Sequence, residues 1–120
     1  MTTRIARILA AVAAPLCLGG VLGGAIAQDH RHHHDFAPDI DAFHAALAPV
    51  WHARPGKART QDACAKAGRM EALAKDIRSK DASALQASIA ALKATCKGNK
   101  LAEVDGALHD VHETFHRLID

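Results

Sequence analysis

The sequence predicts an all-α protein, an up-down-up-down four-helix bundle with one disulfide, preceded by a cleaved signal peptide. Three observations predict this fold class. Apolar residues recur at the 3.6-residue spacing of amphipathic helices in four successive segments, and no segment alternates like a strand. The connections between these segments are short, as in antiparallel bundles. The two cysteines that follow the leader lie symmetrically about a predicted turn.

The first 27 residues have the pattern of a secretory signal peptide. Arg4 and Arg7 precede an apolar stretch that ends in the small-residue motif Ala-Ile-Ala at 25–27, which is typical of a cleavage site. We therefore expect a periplasmic or secreted protein with no stable membrane span after cleavage. The thirteen basic residues that remain balance the thirteen acidic ones, so charge gives no indication of nucleic-acid binding.

Residues 28–38 are polar, rich in histidine and without periodicity, which predicts a flexible arm. The bundle domain is predicted at 39–120. Its first helix, at about 39–53, has Asp39 as the expected N-cap. Pro49 should bend or interrupt this helix, because proline has no N–H to donate and crowds the preceding turn.

The other three helices follow from the same 3.6-residue periodicity. The second is predicted at about 58–79 and the third at about 82–97, with Asp81 as its cap. A Gly-Asn pair at 98–99 supplies the usual C-terminal stop. The fourth helix is predicted from about 100 to 119.

The cysteine spacing supports an antiparallel second and third helix. If the chain turns near Lys80, Cys64 lies sixteen residues before the turn and Cys96 sixteen after it, at the same height on neighbouring helices. An exported chain occupies an oxidising compartment, where disulfides persist. We expect a Cys64–Cys96 bond that stabilises the fold by about 3–4 kcal/mol.

All nine histidines lie after the predicted signal peptide, and three of them share one face of the fourth helix. His109, His112 and His116 follow Asp105 at spacings of four, three and four, which form a stripe beside the apolar face. One ion cannot take all three imidazoles, because His109 and His116 are about 10 Å apart along the axis.

The first helix supplies two further candidate ligands. Because the first and last helices of an up-down bundle are adjacent and antiparallel, we expect His44 near His112 and His116. His52 should lie nearer His109, at the start of the stripe. The sequence thus predicts a principal metal site at the His44 end and a second, looser site at the other end. Imidazole suits copper, nickel, zinc or iron, and the Irving–Williams order favours Cu(II).

The arm offers a separate capture site. After cleavage the chain would begin Gln28-Asp29-His30, which is similar to the amino-terminal motif that binds Cu(II) or Ni(II) through the free amine, two amides and the third-position imidazole. Cyclisation of Gln28 would remove that amine. A loose histidine tract at 32–34 would remain.

The segment 112–116, HETFH, matches the H-E-x-x-H motif of zinc proteases. Catalysis needs a third protein ligand, an open coordination position and a substrate cleft. Only four residues follow the motif and no strand is predicted, so we expect no enzymatic activity. Glu113 should then face solvent or act as an outer partner of a ligating histidine.

Two segments, DIDAFHAAL at 39–47 and ETFHRLID at 113–120, resemble the corresponding ends of cytochrome b562, a periplasmic four-helix bundle. That family holds haem iron with a Met on the first helix and a His near the end of the last. The resemblance places His116 at the family's His and His44 where the Met would be. It implies bis-imidazole haem ligation if haem is bound. No C-x-x-C-H motif for covalent attachment is present.

The sequence therefore predicts an exported transition-metal-binding protein that buffers, transfers or confers resistance to metal. Copper is favoured, with nickel or zinc next, and a metal exporter or another periplasmic metal-handling protein is an expected partner. Ligation by neutral imidazoles predicts release of the metal as the pH falls below about 6. The alternatives are an electron carrier with haem b and a helical interaction module whose histidines are surface residues.

Overall fold

The computed structural model describes residues 35–98 and 100–120, which belong to one compact unit. The predictions for the signal peptide and for the arm up to residue 34 lie outside these residues. The described part of the chain forms four α-helices and contains no strand, which confirms the predicted all-α class. The helices are α1 (Pro38–Trp51), α2 (Lys57–Asp76), α3 (Ser83–Thr95) and α4 (Leu101–Ile119).

Consecutive helices run antiparallel and pack against each other. The Cys64–Cys96 bond, with an S–S distance of 2.07 Å and a Cα–Cα distance of 5.6 Å, joins the first half of α2 to the end of α3 and confirms the predicted pairing. Closer to the α2–α3 turn, the side-chain amide of Gln86 donates to the carbonyl of Ala74 at 3.1 Å. Of these four helices, none has the length and apolar character needed to cross a membrane.

The core lies between the apolar faces of all four helices. Its largest fully buried side chains are Phe43, Leu47, Met70, Leu85, Ile89, Leu92, Leu108, Val50 and Val111. Half of the buried residues of α2 are alanines, at Ala63, Ala67 and Ala74. Small side chains let α2 approach its neighbours closely, and it packs against the other three helices. The backbones of α1 and α4 approach each other less than those of any other packed pair.

The start of α1 differs from the prediction. Pro38 occupies the first turn, where its fixed φ suits the helix. Its missing N–H costs no hydrogen bond there, because the first N–H groups of a helix have no acceptor within the helix. Asp39 is therefore already inside the helix, and the N-cap residue is Ala37. The Asp39 carboxylate instead accepts hydrogen bonds from the backbone N–H groups of Arg78 and Ser79, at 2.7 and 2.9 Å, and from the Ser79 hydroxyl. The Ser79 hydroxyl and these N–H groups hold the pKa of Asp39 well below its usual range.

Other helix ends follow the prediction more closely. The cap residue of α3 is Ala82, but the carboxylate of Asp81 accepts the N–H of Ser83 at 3.0 Å. The side chain and backbone of Ser83 lower the pKa of Asp81. Helix α1 is not interrupted at Pro49 and continues to Trp51.

Candidate metal centre

Aromatic and imidazole rings join α1 to α4. The rings of Phe43 and Phe115 lie 5.5 Å apart, and the ring of Trp51 stacks on His112 with centroids 3.9 Å apart and planes 12° apart. These bulky side chains fill the space between two helices whose backbones stay apart, and they leave a cavity of about 190 Å³. It is lined by Phe36, His44, Leu47, Ala48, Trp51, His52, His112, Phe115, His116 and Ile119.

Two histidines on α4 meet at this cavity. The Nε2 atoms of His112 and His116 lie 3.1 Å apart, as expected for side chains one helical turn apart on one face. Two imidazole nitrogens bound to one ion at about 2.0–2.1 Å, with an angle of roughly 90–109° between them, are separated by about 2.9–3.4 Å. The pair therefore already has the separation of two ligands of a single metal ion. Without metal, the same contact is a hydrogen bond between the rings.

The surroundings of His112 favour its neutral form. Its side chain is only 19% exposed, and burial lowers its pKa below the ordinary 6.5, with a further lowering from the nearby His116. Glu113 opposes this shift. Because a metal ion binds the neutral imidazole, protons compete with it less at His112 than at a free histidine.

The second nitrogen of His112 faces a carboxylate. Nδ1 is buried and lacks a hydrogen-bond partner, and Oε1 of Glu113 lies 3.6 Å away, slightly too far for a direct bond. A proton on Nδ1 would be directed toward this carboxylate and would leave the lone pair of Nε2 facing His116. Ligating histidines commonly have such an outer carboxylate, which fixes the tautomer and increases the basicity of the ligand. This chemistry fits a metal ion at the Nε2 side.

His44, on α1, lines the same cavity. Its ring stacks on Phe115, with centroids 5.5 Å apart and planes 19° apart, and meets the edge of Phe36 at 5.7 Å. Within the described ranges, no group of three or more His, Cys, Asp or Glu side chains is placed to hold a metal ion. The structure thus brings the Nε2 atoms of His112 and His116 together, and His44 lines the same cavity from α1.

The predicted second site has other contacts. Asp105 is bound to the guanidinium of Arg59 at 2.6 Å, and Arg59 is itself only 8% exposed. His109 is exposed, with its ring 5.8 Å from Trp51. His52 is exposed at the end of α1 and lines the same cavity as the α4 pair. Asp105 therefore contributes to the bundle's ion pairing and stands apart from the cavity lining.

Sequence reasoning missed the roles of two aromatic residues. Trp51 falls within the predicted first helix, and the structure shows that it covers a face of His112 and holds the Arg59 guanidinium 5.0 Å from its ring centre. Phe36, assigned to the arm, packs 6.1 Å from Phe115 and lines the cavity. The available signal for Phe36 was a large apolar residue directly before the helix-starting proline.

The cavity is small beside the haem group that the resemblance implies between His44 and His116. Pockets that bury small organic ligands measure about 300–1,000 Å³, more than the 190 Å³ found between α1 and α4. One face of the His44 ring is stacked against Phe115.

Comparisons with family models, with curated proteins and with solved structures find no match to this chain. The candidate centre is therefore described by its own geometry. It is a histidine pair in a half-open cavity between α1 and α4.

Proposed function

We propose that this protein is an exported transition-metal-binding protein that buffers or transfers metal, with copper favoured and nickel or zinc next. The observation that supports this function is the 3.1 Å separation of Nε2 of His112 from Nε2 of His116 at the wall of a cavity. A buried outer nitrogen beside Glu113 supports it further.

The donor chemistry favours copper. Cys64 and Cys96 are bonded to each other and supply no thiolate, and Asp105 is paired with Arg59. The donors that remain around the cavity are imidazoles. All-nitrogen sites of neutral imidazoles bind Cu(II) most strongly among the divalent first-row ions unless the geometry forbids it.

The open coordination favours buffering or transfer over a structural metal. Structural zinc sites are closed by four protein ligands, whereas His112 and His116 supply two. The remaining positions can be taken by solvent or by a partner that donates or receives the ion, such as a metal exporter. An ion held this way exchanges readily and acts as cargo.

The position of Glu113 argues against protease chemistry. In the zinc proteases the glutamate of H-E-x-x-H acts on a water bound to the metal. Here its carboxylate approaches Nδ1 of His112, on the opposite side of the ring from the Nε2 atom that would bind the ion. Glu113 is thus placed to orient a ligand rather than to activate water, and we propose a non-enzymatic role.

The test is a metal analysis of the mature protein isolated from its native host. Stoichiometric copper, nickel or zinc without a Soret band supports the proposal, whereas a Soret band would support the haem alternative. If the protein contains no stoichiometric metal and shows no Soret band, the result supports a helical interaction module. In titrations with Cu(II), the double variant His112→Ala plus His116→Ala should lose the tight bundle site.

The matched control substitutes two other histidines of the same helices, His52→Ala plus His109→Ala. We expect this variant to keep the tight site, because neither residue belongs to the 3.1 Å pair. Retention of full affinity by His112→Ala plus His116→Ala would overturn the site. All proteins in this comparison also carry His30→Ala, so that metal bound by the amino-terminal motif does not contribute to the titrations.

A further inference from the structure

Trp51 covers one face of the candidate ligand His112. The ring centres lie 3.9 Å apart and the two planes are 12° apart, so the rings are stacked face to face. A histidine binds a metal ion through the lone pair of a ring nitrogen, which lies in the plane of the imidazole. An ion on Nε2 of His112 would therefore lie in a plane nearly parallel to the indole ring.

The stack limits the distance between the indole and such an ion. A metal ion bonded to an imidazole nitrogen at about 2.0–2.1 Å lies roughly 3.2 Å from the centre of that ring. Carbon atoms of stacked rings approach to about 3.5 Å, so the two ring centres can be offset sideways by at most about 1.7 Å. For every direction of that offset, the ion lies roughly 4–6 Å from the centre of the Trp51 ring. Cation–π attraction acts within about 6 Å of a ring centre, and tryptophan is the most favourable ring for it.

Arg59 holds the indole in this place. Its guanidinium lies over the Trp51 ring, 5.0 Å from the ring centre, and donates to the Trp51 carbonyl at 3.2 Å. Arg59 is buried, and Asp105 neutralises its charge at 2.6 Å, so the guanidinium adds little repulsion to a nearby ion. The indole is thus already ordered beside His112 before any ion binds. Such pre-organisation removes the entropy cost of fixing a side chain on binding.

We propose that Trp51 is part of the metal site, where its indole face contacts the ion held by Nε2 of His112 and Nε2 of His116 and covers one side of it. The contact stabilises the positive charge and keeps solvent and other ligands away from that side. His116 is exposed, so the ion stays accessible from the side of that residue. This inference rests on the proposed function, since it assigns a further contact to the same ion.

The first experiment measures the separation of the ion from the indole. The chain has a single tryptophan, so tryptophan with a deuterated indole labels Trp51 alone. The mature chain with His30→Ala receives an equimolar amount of Cu(II), and pulsed electron paramagnetic resonance detects the coupling of copper to the indole deuterons. We expect the coupling that corresponds to roughly 4–6 Å from the ring centre. The double variant His112→Ala plus His116→Ala should lose this coupling.

A substitution series separates the ion contact from packing. Trp51→Leu keeps an apolar side chain and removes the π face, whereas Trp51→Phe keeps a smaller π face. We expect Trp51→Leu to weaken Cu(II) binding about 5–30-fold and Trp51→Phe by no more than about threefold. Competition with a chromogenic chelator measures these affinities, because both variants lack the fluorescent indole.

The matched control is Phe43→Leu, which removes another aromatic ring from α1. The Phe43 ring packs on Phe115, and we expect this variant to bind Cu(II) within about twofold of the parent. Urea unfolding verifies that every variant is folded. Equal losses of affinity in Trp51→Leu and Phe43→Leu would show that packing alone is responsible and would overturn the contact. Parent-like affinity of Trp51→Leu would overturn it as well.

The remaining outcomes separate the two proposals. If the deuteron coupling is absent while His112→Ala plus His116→Ala loses the tight site, the Trp51 contact fails and the proposed function stands. If the coupling is absent and the double variant binds Cu(II) as tightly as the parent, both proposals fail.

Discussion

The two sides of the bundle are held together by different chemistry. Between α2 and α3 the chain is cross-linked by Cys64–Cys96, and the carboxylate of Glu71 is bound by Lys75 and Lys93. Between α1 and α4 the contacts are rings stacked on rings, such as Trp51 on His112, around a cavity. The α2–α3 side is held by a covalent bond and ion pairs. The α1–α4 side, the seam, is an interface that contains a cavity.

This difference separates stability from the candidate function. To admit and release an ion, as we propose, the α1–α4 seam needs some empty volume, and empty volume weakens packing. The disulfide on the other side restricts the unfolded chain and does not depend on how well the seam is packed. The bundle can therefore keep an open centre without depending on it for its fold.

The largest effect should come from removing the cross-link. Cys64→Ser plus Cys96→Ser opens a loop with a sequence separation of 32 residues, and we expect a loss of about 3–4 kcal/mol in the free energy of unfolding. Urea unfolding measures this loss. Copper titration of the folded variant should give the affinity of the parent. A parallel loss of copper affinity would show that the two sides are not separate.

An intermediate effect should come from the ion pair that ties α2 to the seam. Arg59 donates to Asp105 and to the carbonyl of Trp51, at 2.6 and 3.2 Å. Asp105→Ala removes a charged hydrogen-bond partner from a buried guanidinium and should cost about 1.5–3 kcal/mol. The exposed Asp110 on the same helix is the control, and Asp110→Ala should change stability by less than about 0.5 kcal/mol. Equal urea midpoints for the two variants would contradict this role of Arg59.

The smallest effect should be a pH dependence that differs between the two sides. The pKa of His112 is lowered in the folded protein, chiefly by burial, so the unfolded chain takes up this proton first. The stability of the metal-free protein should therefore be complete above the ordinary value of 6.5 and decline as the pH falls below it. The hydrogen bonds of Lys75 and Lys93 lower the pKa of Glu71 from 4.5 to about 2, so its contribution is present above pH 4.5 and is lost toward about 2.

Urea midpoints measured from pH 7.5 to about 3 in chelator separate the two declines. His112→Gln should flatten the upper decline, whereas His52→Gln, at an exposed position, should leave it unchanged. Lys93→Ala should reduce only the loss of stability below pH 4.5, to which Glu71 contributes. If the loss of stability below pH 6.5 persists in His112→Gln, another titrating group causes it.

Most of the fold was predictable because its sequence signals come from neighbouring residues or from the fixed dimensions of the α-helix. Periodicity marks each helix, and the equal distances of Cys64 and Cys96 from one turn follow from the constant rise of two antiparallel helices. The His112–His116 pair was predictable for the same reason, since one helical turn fixes its geometry. The contact of Asp39 with Ser79, forty residues away, has no such local signal.

The position of His44 depends on tertiary packing. A helical wheel gives the direction of a side chain but not the distance to the next helix. That distance is set by Phe43, Phe115 and Trp51, which together keep α1 and α4 apart. The ligand role that we predicted for His44 therefore remains a prediction, and the structure places its ring against Phe115 at the same cavity.

The seam also has a consequence for the rate at which the protein unfolds. Pairing α1 with α4 joins the two ends of the described chain, so it closes the longest loop in the bundle, and long-range contacts form late in folding. Interactions that are absent from the folding transition state slow unfolding without accelerating folding. The ring contacts of Trp51 with His112 and of Phe43 with Phe115 would thus mainly slow unfolding, and so lengthen the lifetime of the folded protein while leaving its folding rate nearly unchanged.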